Sequence, residues 1–154
     1  MTGVQTCALP ISAIDPIAAQ VLLNDSDLVV WQVPRDAYRQ TLASFVELDA
    51  HLTGPLGRHL FGRLDGIARM VAGVGFDLGE TYVLGDSPLV LLTALQSSFE
   101  AWPASSTSVL RPAPVLADDG SYTGEVLAGR QLRVWTRLDC ALMMRDFYAK
   151  LAGR

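Results

Sequence analysis

Tyr82-Val83-Leu84-Gly85-Asp86-Ser87-Pro88-Leu89-Val90-Leu91-Leu92-Thr93-Ala94-Leu95 is the stretch whose reading decides the fold. Its first residues form a short apolar strand or loop that delivers Asp86 to the mouth of a helix, with Ser87 as a further polar group. Pro88 falls at the first helical position, where a missing N–H costs nothing. Leu89, Val90, Leu91, Leu92, Ala94 and Leu95 make the helix apolar on every side, so it is expected inside a core and not on its surface. Asp86 then faces the positive end of the helix and its unpaired N–H groups. An Asp-Ser-Pro before an apolar run is more often a cap than a ligand, and local spacing leaves both readings open.

Upstream, Asp15 as N-cap and Pro16 at the first position open a helix through Ala18, Ala19, Val21 and Leu22, which stops at Asn24-Asp25-Ser26-Asp27. Leu28-Val29-Val30-Trp31-Gln32-Val33 is rich in β-branched and aromatic residues and ends at Pro34, which predicts a strand. Its nearly continuous apolarity suits a parallel strand covered on both faces. Asp36 to Leu52 reads as one helix, with Ala37, Leu42, Phe45, Val46 and Leu52 as its buried side. Gly54-Pro55 breaks it, and a longer helix follows in which Leu56, Leu60, Phe61, Leu64, Ile67, Ala68 and Val71 recur at helical spacing. Gly73-Val74-Gly75-Phe76-Asp77-Leu78-Gly79 is not a dinucleotide fingerprint. Its third glycine is one position late, and it follows a helix where the fingerprint follows a strand.

Downstream, a polar interval from Ala101 to Ser108 leads into a strand from Val109 to Leu116. Asp118-Asp119-Gly120 is a hairpin turn, and Gln131-Leu132-Arg133-Val134-Trp135-Thr136-Arg137 alternates as a half-exposed strand does, so a β-hairpin is expected near the C-terminus. Asp139 caps a last helix with Leu142, Met143, Phe147 and Leu151 on its apolar face and Asp146 and Lys150 as a solvated pair. This mixture of elements argues for an α/β or α+β fold.

Composition bounds the function. The chain has 154 residues, 50% hydrophobic and 18% charged, with 12 basic and 16 acidic residues for a net charge of −4. That is enough for one packed core. Without a basic run, neither a nucleic-acid backbone nor an anionic membrane surface is an expected partner. No stretch reaches the roughly 18 consecutive apolar residues of a membrane-spanning helix. Cys7 and Cys140 form no CxxC, which fits a reducing, cytoplasmic setting. His51 and His59 have no cysteine near them in sequence and are expected to be partly solvated histidines, not zinc ligands.

Residues 1–11, Met1 to Ile11, lack the charged and hydrophobic regions of a signal peptide. They match what a common sequencing adapter gives when translated. They are therefore expected to be an artefactual leader, with residues 12–154 as the biological domain and Cys7 without chemistry.

Taken together and in this order, Asp15-Pro16-Ile17-Ala18-Ala19, Trp31-Gln32-Val33-Pro34, Tyr82 to Leu95 and Asp139 to Leu151 resemble the C-terminal half of the inosine-uridine-preferring nucleoside hydrolase family. The resemblance covers about residues 13–152. It implies an α/β fold with a largely parallel sheet, helices around it and the hairpin near its C-terminus. The implied activity is calcium-dependent hydrolysis of the N-glycosidic bond of ribonucleosides, with a small-molecule nucleoside as partner and room for a homo-oligomer. In that family an aspartate late in the chain joins an N-terminal aspartate cluster around calcium, and Asp86 matches the late one. Calcium takes about 6–8 oxygen ligands, so Asp86 alone cannot hold it. The N-terminal cluster is absent here, as are the ribose-gripping Asn and Glu residues. Gly85 replaces the histidine with which many relatives protonate the leaving base, so no general acid is assigned. The alternative is a relative of the same fold that binds ligands or partners without catalysis.

Overall fold

Asp15 and Pro16 start the first helix as the sequence predicts. Asp15 Oδ1 accepts from Ala18 N at 2.9 Å, and α1 (Pro16–Gln20) runs into a π-helical turn, Val21–Asp25. The computed structural model describes Ser12, residues 14–95 and residues 105–153, so the leader reading of residues 1–11 lies outside the described residues. The elements that follow are β1 (Trp31–Gln32), α2 (Arg35–Tyr38), β2 (Leu42–Ser44), α3 (Phe45–His51), α4 (Pro55–Gly73) and β3 (Thr81–Val83). The chain continues with α5 (Pro88–Thr93), β4 (Thr107–Leu116), β5 (Tyr122–Arg137) and α6 (Cys140–Leu151). Helices and a mixed sheet make this an α/β chain. Among the described residues, no helix is long and apolar enough to cross a membrane.

The chain divides into two units. The first holds the described residues up to Arg35 together with Ser108–Thr136. Its sheet has the order β1-β5-β4, with β1 parallel to β5 through Trp31↔Arg133 and Gln32↔Val134. β4 and β5 are joined by the expected tight turn, in which Ala117 N donates to Ser121 O at 2.8 Å. Gly120 lies at φ 79°, a conformation that suits glycine and strains other residues. So short a connection can join only antiparallel neighbours, since a parallel pair needs a crossover. The sheet is therefore not largely parallel: one two-residue pair is, and the hairpin is not. The expected strand from Leu28 to Val33 shrinks to Trp31–Gln32, because only these residues find ladder partners on β5.

Trp135, Leu132, Ala113 and Leu116 form the core of this unit, and the rings of Trp31 and Trp135 meet edge-on with centroids 5.4 Å apart. Gln20 Nε2 donates to Leu116 O and to Asp118 Oδ1, both at 3.2 Å, which ties α1 to the hairpin end. Arg130 donates to the carbonyls of Leu22, Ser26 and Leu28, gathering the orphan acceptors at the end of the π-helical turn.

The second unit holds the described residues of Asp36–Thr107 and of Arg137–Arg154. Ala43, Leu48, Leu52 and Tyr148 are its buried centre, and Phe61, Leu64, Leu84, Met144, Phe147 and Leu151 pack around them. Gly57 is where α4 meets the chain on either side. A Cβ there would stand 2.9 Å from Leu151 O and 2.9 Å from the carbonyl carbon of Leu52, too close for any side chain without a backbone shift. Arg58 donates to the carbonyls of Asp49 and Leu52, closing the C-terminal end of α3.

Two further expectations are corrected here. The helix predicted over residues 36–52 is two short helices separated by β2. Leu42, Ala43 and Ser44 pair antiparallel with Val83, Tyr82 and Thr81, so a long-range ladder overrides the local helical spacing. This turns Leu42 outward, 54% exposed, where the helix would have buried it. The central helix α5 is likewise not enclosed on every side. Pro88, Leu91 and Leu92 are buried, whereas Leu89 and Val90 are 57% and 51% exposed.

Candidate functional site

The segment carrying Asp86 is positioned by β2 and β3. Beyond their last ladder pair, Leu84 N donates to Thr41 O at 3.0 Å, and Thr41 Oγ1 reaches both Leu84 O at 2.9 Å and Tyr38 O at 2.6 Å. Thr41 is fully buried, and its hydroxyl ties the end of α2 to the end of β3. Thr41→Val keeps the shape and removes the donor. It should lower stability by about 1–2 kcal/mol, read as a shift in urea midpoint, and should speed hydrogen exchange at the Leu84 amide.

From Leu84 the chain folds over itself. Gly85 N donates to Val83 O at 2.9 Å, Ser87 N to Leu84 O at 3.1 Å, Leu89 N to Asp86 O at 3.2 Å and Val90 N to Ser87 O at 3.0 Å. The first turn of α5 thus finds its acceptors in backbone carbonyls. Ser87 already has helical angles, φ −62° and ψ −28°, where a capping residue is normally extended, and no side chain caps the helix. The cap reading of Asp86 is corrected for that reason. The Asp86 side chain is exposed and, among the described residues, has no hydrogen bond or ion pair. It lies in neither of two clefts of this unit, one beside Gln40, Arg137 and Cys140, the other between the start of α4 and the end of α6.

The remaining candidates are engaged elsewhere or have no partners for chemistry. His51 stacks on Tyr148, centroids 4.5 Å apart, and His59 is exposed. Burial pushes the Tyr148 phenol up to about 12, and the charge of Glu47 adds to the shift. Burial also raises the Cys140 thiol, with the Asp139 charge adding to it, so Cys140 is not poised as a nucleophilic thiolate. Among the described residues no three His, Cys, Asp or Glu side chains stand together as a metal-binding group. The described residues thus do not by themselves fit the calcium ion that the resemblance implies.

Asp139 does what the sequence assigned to it. Its Oδ1 accepts from Leu142 N at 2.9 Å, and its own N–H donates to Ser106 Oγ at 3.0 Å. The bond from Leu142 N–H holds its carboxyl below the usual range against the opposing effect of burial, with Ser105, Arg145 and Arg137 adding to the lowering. A carboxyl lowered in the folded state adds stability that is complete above the unfolded value, about 3.9, and is lost as pH falls through the folded one. Asp139→Asn retains a capping oxygen without the charge. Its thermal midpoint should therefore fall less than the parent's between pH 6 and pH 3, whereas Asp139→Ala should lose about 1 kcal/mol at neutral pH.

The chain matches no family model, no curated protein and no solved structure. Function is therefore argued from its residues. Sequence reasoning missed Thr41 and Tyr38, the two side chains that frame the Asp86 turn. Both fall inside what reads as one helix, and nothing local marks the break between them.

Proposed function

We propose that this chain is the C-terminal part of a calcium-dependent nucleoside N-ribohydrolase with a nucleoside-hydrolase-like fold, in which Asp86 contributes one carboxylate to a ribose site completed by residues upstream. The motif set around Asp15, Trp31, Asp86 and Asp139 motivates the reading. The observation that carries it is the state of Asp86: an exposed carboxylate, unused by the helix behind it, on a turn fixed by Thr41. In the overall reaction a water oxygen bonds to the anomeric carbon of ribose, the C–N bond breaks, and the base leaves with a proton. Gly85 cannot supply that proton, so in this reading the acid lies elsewhere. No step is assigned to the ion, because the described residues do not form its site.

A binding module of the same fold without catalysis is the second reading. It is favoured by the missing acid at Gly85 and by the lack, among the described residues, of a metal-binding cluster. The chain as written should release no ribose from inosine or uridine above a blank, since one carboxylate cannot assemble the contacts of divalent catalysis. The same chain extended by its upstream coding sequence should release ribose, and a chelator should stop it. Release by the unextended chain would contradict the reading. Nucleoside binding by the extended protein without any cleavage would establish the second reading in its place.

A further inference from the structure

We draw no further inference here: the strongest candidate, the cleft of the second unit lined by Gln40, Ser105, Arg137, Asp139 and Cys140, rests on the N-terminus of α6, which Asp139 already caps, and on a lone cysteine, and nothing else among the described residues points to a ligand there.

Discussion

On the nucleoside-hydrolase reading proposed above, Asp86→Asn in the extended protein should fold as the parent does and lose most of the nucleosidase turnover, on the order of 100-fold or more, as expected for loss of electrostatic stabilisation at a reacting centre. The two halves of this prediction separate the roles open to the carboxylate. A helix cap needs only a side-chain oxygen, and Asn supplies one about as well as Asp. A ligand for a hard divalent cation needs the charge. The α5 N-terminus takes its bonds from backbone carbonyls, and no side chain caps it, so even the small cost of a changed cap is not expected. An unchanged thermal midpoint with lost turnover is the result that fits. Retained turnover would show that Asp86 has no part in the chemistry.

The largest effect on stability is expected at Trp135. Its side chain, on β5, is fully buried and stands edge-on to Trp31, and the other buried hydrophobics of its unit are the smaller Ala113, Leu116 and Leu132. Trp135→Ala should cost about 3–5 kcal/mol, a large share of the 5–15 kcal/mol or so typical of a whole domain. Its indole N–H has no hydrogen-bond partner among the described residues, so the ring's contribution is packing alone. Trp135→Phe should therefore cost much less than Trp135→Ala, since it gives up volume and no bond. Urea midpoints of the two variants against the parent measure this. Equal losses would mean that the indole nitrogen carries an interaction.

Local chemistry made several elements legible. Asp15 and Asp139 cap as Asp before a helix should, Gly54-Pro55 breaks the chain between α3 and α4, and the Asp118-Asp119-Gly120 turn closes the hairpin. Lys150 Nζ and Asp146 Oδ2 meet at 2.6 Å, as their spacing on one helix face predicts. What could not be read depended on partners distant in sequence. Residues 36–52 carry helical apolar spacing throughout, yet β2 forms because β3 offers it a ladder about forty positions away. The same pairing places Thr41 and Tyr38 beside the Asp86 turn.

The candidate site was legible at one residue and misjudged in its local setting. Position before Pro88 and an apolar helix draws attention to Asp86 but favours a cap; its reading as a metal ligand comes from the resemblance. Its failure to cap follows from Ser87 entering helical angles one residue early, which sequence does not display. The sheet was misjudged for a related reason. Apolarity in Leu28 to Val33 predicted a parallel strand, and Trp31–Gln32 do pair parallel with β5; the largely parallel sheet that the resemblance implies is not found, because the hairpin puts β4 and β5 side by side without a crossover.

The most direct test of the central claim, that Asp86 is a ligand and not a cap, is a crystal structure of the extended protein with calcium and ribose. The account predicts an Asp86 carboxylate oxygen on the ion at about 2.3–2.6 Å, with α5 still capped by backbone alone. An ion held without Asp86, or an Asp86 side chain turned back onto the N–H groups of α5, would contradict it.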